Sequence, residues 1–104
     1  MPRWIRVASA ADHPAGSAVE LVAEDRIIAL FHVDDRWFAL DGVCPHQGGP
    51  LGKGTLQGCI VTCPWHGWQF DVESGQHQTT TAAVHTKFAV KVEDGEVYVD
   101  VDIE

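Results

Sequence analysis

The sequence predicts an all-β fold with a loop-rich insert at its middle, and three observations carry that expectation. Outside the middle, apolar residues recur in short runs broken by turn signals. Helical periodicity is hard to find anywhere. Residues 42–67 hold seven of the ten glycines and three of the five prolines, which is loop composition.

The elements follow in order. Trp4 to Val7 reads as a first strand. Ala18 to Ala23 and Arg26 to Val33 read as a second and third, joined at Glu24-Asp25, and Asp34-Asp35 turns the chain into a fourth over Trp37 to Asp41. Beyond the loops, Cys59-Ile60-Val61-Thr62-Cys63 has the β-branched content of a strand, and Trp68 and Phe70 alternate along another as core residues. The last hairpin is the clearest. Phe88 to Val92 and Val97 to Val101 flank Glu93-Asp94-Gly95-Glu96, and Asp-Gly tolerates the positive φ of a tight turn. The middle segment buries few apolar side chains of its own, so a bound metal is the economical way to hold its shape.

A chain of 104 residues that is 45% hydrophobic and 21% charged is expected to form one compact domain over 1–104. No stretch approaches the roughly 18 apolar residues of a membrane span, and the N-terminus lacks the apolar run of a secretory signal. A soluble, cytoplasmic protein is therefore expected. Fifteen acidic against seven basic residues give a net charge of −8, which repels phosphate backbones and anionic membranes and argues against either as a partner. The charge is uneven: from Gly42 to Phe70 the only charged residue is Lys53, while six acids fall between Glu93 and Glu104 as a solvated face. Three cysteines cannot all pair within one chain, so this is not a disulfide scaffold.

One short repeat carries chemistry. Cys44-Pro45-His46-Gln47-Gly48 is echoed by Cys63-Pro64-Trp65-His66-Gly67, giving Cys-x-His, sixteen residues, then Cys-x-x-His. Intervals of one and two residues let both side chains of a loop turn toward one centre. Proline after each cysteine narrows the backbone's freedom there. Cys44, His46, Cys63 and His66 are thus four metal ligands in two loops. A tetrahedral Cys2His2 zinc site remains open on this ligand set, although zinc motifs usually pair like with like, and Cys-x-His is unusually short for one.

On these residues the chain resembles the Rieske family. Its motif is matched in full by the four ligands, and the likeness runs on into Gly48-Gly49-Pro50-Leu51 and His66-Gly67-Trp68-Gln69-Phe70-Asp71. The resemblance implies an antiparallel β-sandwich or barrel base with a small, loop-rich cluster-binding subdomain inserted at about residues 42–71. It also implies one 2Fe-2S cluster, with the two cysteines on one iron and the two histidines on the other. Two ferric ions, two sulfides and two thiolates sum to zero, so reduction is easier than for a four-thiolate cluster at about −400 mV.

Departures from the high-potential respiratory members refine the expectation. Where those carry a loop disulfide, this chain has Gly49 and Trp65; where they carry a serine and a tyrosine that hydrogen-bond cluster sulfurs, it has Trp68 and Phe70. Fewer such bonds leave the reduced state less stabilised, which predicts a potential on the order of −150 mV. The shielding proline-rich loop is also missing from Gln76 to Thr86. Each ligand histidine leaves one ring nitrogen free, and added negative charge on reduction should tighten its hold on a proton, so the potential should fall with pH in alkaline solution.

Cys59 lies roughly 13 Å from Cys63 along an extended strand, too far to share an iron, and reads as a buried structural thiol. Trp65 should lie beside the cluster. His13, His32, His77 and His85 share no ligand spacing and read as ordinary surface or core histidines.

The chain shows no nucleotide fingerprint, mononuclear-iron motif or nucleophile constellation. The resemblance therefore implies an electron-transfer protein, not an enzyme: a monomeric ferredoxin that transiently contacts a flavoprotein reductase and a terminal oxygenase or similar redox enzyme. The small subunit of an NAD(P)H-dependent nitrite reductase is the alternative within the same fold.

Overall fold

The computed structural model describes residues 3–24, 26–42, 50–64, 69–76 and 87–101. These contain ten strands: β1 (Trp4–Ser9), β2 (Ala18–Ala23), β3 (Arg26–Val33), β4 (Arg36–Asp41), β5 (Thr55–Gln57), β6 (Ile60–Thr62), β7 (Gln69–Asp71), β8 (Lys87–Phe88), β9 (Val90–Glu93) and β10 (Glu96–Asp100). Short 3-10 turns at Ala10–Asp12 and Leu51–Lys53 complete the described elements. All pairings are antiparallel, in three sheets ordered β1-β10-β9, β2-β3-β4-β8 and β5-β6-β7.

Strand β3 explains the layering. A strand covered on one face alternates apolar and polar residues, whereas Ile28-Ala29-Leu30-Phe31 is continuously apolar and no more than 1% exposed. Ile28 and Leu30 join Ala39, Phe88, Val97 and Val99 in a core between the first two sheets, which form a sandwich base. Ala29, Phe31 and Val33 point the other way, into a second core with Leu40, Leu51, Val61, Cys63, Phe70 and Val72. That second core seats the small sheet on the base.

The turns behave as their residues dictate. Asp94 and Gly95 adopt φ of 52° and 77° between β9 and β10, and Glu24 and Asp34 take φ of 58° and 53° at the β2–β3 and β3–β4 turns. Asp25 lies outside the described residues. Strands β2 and β3 match expectation residue for residue, β1 runs on to Ser9, and β4 starts one residue earlier, at Arg36.

Two expectations need correction. The single strand expected over Phe88 to Val92 is two: Lys87–Phe88 pairs with β4, and Val90–Glu93 pairs with β10. The chain crosses from one sheet to the other at Ala89, whose carbonyl instead accepts the Asp100 N–H at 3.0 Å. The strand expected over Cys59 to Cys63 shortens to Ile60–Thr62, because Gly58 (φ 60°) and Cys59 form the turn that pairs Gln57 with Ile60.

Candidate metal centre

Cys63 is the one expected ligand among the described residues; Cys44, His46 and His66 lie outside them, as do Trp65 and Trp68. Strand β6 positions Cys63. Its central Val61 points into the second core, Thr62 points away, and Cys63 then faces inward, 1% exposed. Phe70, on β7 opposite Val61, is buried in the same core.

The backbone ties together the ends of both loops that carry the Cys-His repeat. For the second, Thr62 pairs with Gln69, and the Gln69 Nε2 donates to Thr62 Oγ1 at 3.1 Å, so residues 63–68 are held between two fixed ends. For the first, the Leu51 N–H donates to the Gly42 carbonyl at 2.9 Å, which ties together the entrance and exit of residues 43–50. Gly42 is itself fixed, its N–H donating to the Ile27 carbonyl at 2.9 Å. A Cβ at Gly42 would lie 2.5 Å from Ile27 Cγ2 and 3.1 Å from the Ile27 carbonyl, so glycine is required for this close approach.

The segment after the first loop also lies on backbone. Leu51 is fully buried beside Cys63 in the second core. Beyond β7, the Asp71 carboxylate accepts the N–H groups of Glu73 and Ser74 at 2.8 and 3.2 Å, and the Val72 N–H donates to the Cys59 carbonyl at 2.8 Å. Residues 77–86, most of the stretch that lacks the proline-rich loop, lie outside the described residues.

The donor chemistry fits an iron–sulfur group. A soft sulfur donor sits at the end of a strand, buried in an apolar core, within a stretch whose only charged side chain, Lys53, is exposed. An oxidised 2Fe-2S cluster on two thiolates and two neutral imidazoles has no net charge, so seating it there avoids the large cost of burying an ion.

The other expected residues sort as follows. Cys59, expected to be buried, is only half-buried, because it sits in the turn at the edge of the same core, with Arg36 Nη2 3.9 Å from its sulfur. It shares Cys63's side of the small sheet. His32 stacks on Trp37 at 3.9 Å between ring centres, and its Nδ1 lies 2.7 Å from the His13 backbone carbonyl oxygen, so the His32 ring has a structural place. His77 and His85 fall outside the described residues. What sequence reasoning missed is the pair Gly52 and Gly54, which touch neighbouring strands; a glycine-rich loop conceals which glycines are packed.

Comparison with known proteins gives a consistent result. The family model described as the Rieske [2Fe-2S] domain matches residues 3–99. The chain is similar to the ferredoxin CarAc of Metapseudomonas resinovorans, at 33% identity over 92% of each chain. It is also similar to the ferredoxin component of the naphthalene 1,2-dioxygenase system of Pseudomonas aeruginosa, at 28% identity over 94% of this chain and 95% of that one. Among solved structures, it matches a chain from the complex of reduced oxygenase and oxidized ferredoxin in carbazole 1,9a-dioxygenase. That match has a TM-score of 0.89 and 30% identity, covering 97% of this chain and 95% of the other.

Proposed function

Because the chain belongs to the Rieske [2Fe-2S] domain family, it is an electron-transfer protein with one Rieske-type 2Fe-2S cluster, and we propose that Cys44, His46, Cys63 and His66 hold that cluster. On this reading Cys44 and Cys63 bind one iron and His46 and His66 the other. The observation that carries it is Cys63, buried at the end of β6 in a loop closed at its base, at the position the motif requires. When bound, the cluster stores one electron at a potential on the order of −150 mV. The surrounding residues exclude water, keep charge away and hold the two loops at fixed ends.

The proposal extends to the protein's place in electron flow. The chain is one domain over residues 1–104, with a cluster-binding subdomain at about 42–71. As a cytoplasmic monomer, it accepts an electron from a flavoprotein reductase and delivers it to a terminal oxygenase. The relative from the naphthalene 1,2-dioxygenase system, matched along 95% of its length, is a ferredoxin component, and the matched solved chain of 30% identity comes from an oxygenase–ferredoxin complex, which favours this over the nitrite reductase small subunit and over a zinc module. Among the described residues no helix is long and apolar enough to cross a membrane. The nearly uncharged stretch from Gly42 to Phe70 suits a small transient contact, with the acidic remainder steering the encounter.

The test uses the purified protein, which should be brown. It should show a Rieske-type EPR signal on reduction, sediment as a monomer, and take electrons from NADH through an oxygenase-type reductase. Protein-film voltammetry should give a low potential that falls with alkaline pH. A strongly positive potential, or a colourless protein with one zinc, overturns the reading.

A further inference from the structure

Gly54 is neither a ligand nor part of the ligand motif. It ends the 3-10 turn that carries the chain out of the first ligand loop, its N–H donating to the Leu51 carbonyl at 3.0 Å. With φ −78° and ψ −178° its backbone is open to any residue, so conformation does not explain the glycine. Space does. A Cβ at position 54 would fall inside van der Waals contact of the Thr62 carbonyl oxygen, 3.0 Å from the Thr62 carbonyl carbon and 3.1 Å from the Leu51 oxygen. These are backbone atoms, which cannot rotate aside. Thr62 is the residue before Cys63.

Gly52, two residues earlier, packs in another direction. Its Cβ would lie 2.8 Å from the Val19 carbonyl oxygen and 2.9 Å from Glu20 Cα and N, all on β2. One segment therefore carries two close backbone contacts, Gly52 on the base and Gly54 on the strand that presents Cys63.

We propose that Gly54 is a positioning residue for the cluster: its missing side chain sets the separation between the exit of the first ligand loop and the Cys63 end of β6. This rests on the ligand assignment proposed above. A methyl group at position 54 must move one of the two by about an ångström to reach ordinary contact, whereas metal–ligand distances tolerate about 0.2 Å. A cluster held by both loops would take up the difference.

The experiment compares the purified holoproteins of wild type, Gly54→Ala and Gly52→Ala. Gly54→Ala should lose iron to a chelator at least tenfold faster than wild type and shift the g-values of the reduced EPR spectrum, while the far-UV circular dichroism of the base stays that of wild type. Gly52→Ala should melt at a lower temperature with a wild-type EPR spectrum and iron-release rate. The proposal is overturned by a wild-type spectrum and release rate in Gly54→Ala, or by equal cluster damage in Gly52→Ala. Failure of Gly54→Ala to fold at all also overturns it, because the proposed lesion is confined to the ligand loops. The ligand assignment fails separately, by a Cys63→Ser protein that keeps the wild-type EPR spectrum.

Discussion

Strand β3 buries five apolar residues on two faces, while β5, β6 and β7 each turn one central residue inward, Leu56, Val61 and Phe70, in a single cross-strand row. The base is thus held mainly by apolar burial. The small sheet has too little of it to fix two loops by itself, so close backbone contact, a second core shared with β3 and ligand bonds supply the rest. The contrast teaches that stability and redox chemistry reside in different parts of the chain and should respond to different substitutions.

The sharpest break comes from Cys63→Ser, which should abolish the brown colour and the Rieske EPR signal while circular dichroism still reports a folded base. Next is Leu30→Ala, in the core between the two base sheets. It should lower unfolding free energy by about 2–5 kcal/mol in chemical denaturation and leave the potential of the folded protein unchanged. If it moved the potential as well, the two regions would not be separable. Phe70→Tyr tests the small sheet more gently. A hydroxyl able to reach a cluster sulfur should raise the potential by an amount on the order of tens of millivolts, as one hydrogen bond worth about 1 kcal/mol would do. The smallest effect belongs to the surface of the base. Arg6→Ala removes an exposed ion pair to Glu96 at 2.7 Å, and should cost less than about 1 kcal/mol, diminishing further in salt.

The same contrast explains what could be read from the sequence. Strands β2 and β3 were legible to the residue because β-branched runs ended at acidic turns, and Asp94-Gly95 announced its hairpin through the φ those residues tolerate. Between Phe88 and Val90, however, the apolar residues are consecutive while the chain changes sheets at Ala89; a change of partner leaves no mark in a local pattern. The 3-10 turn at Leu51–Lys53 is too short for periodicity to show. At the site, the Cys-His repeat and the family it points to were plain in the sequence, because coordination demands particular residue types at particular intervals. The close packing of Gly54 was not, because the backbone it meets is a carbonyl eight residues away across a hairpin.

Pairing of β1 with β10 sets Trp4 opposite Asp100 and has a consequence for assembly. Sheets built from neighbouring hairpins, β2-β3-β4 and β5-β6-β7, involve only short loop closures, whereas the outer sheet must wait for nearly the whole chain to be synthesised. Pulse-labelled hydrogen exchange during refolding should accordingly protect Leu30 in its hairpin before Val99 in β10. In chain order residues 42–71, which carry the Cys-His repeat, come before β9 and β10, so the segment that carries the motif is made before the sheet that completes one face of its platform.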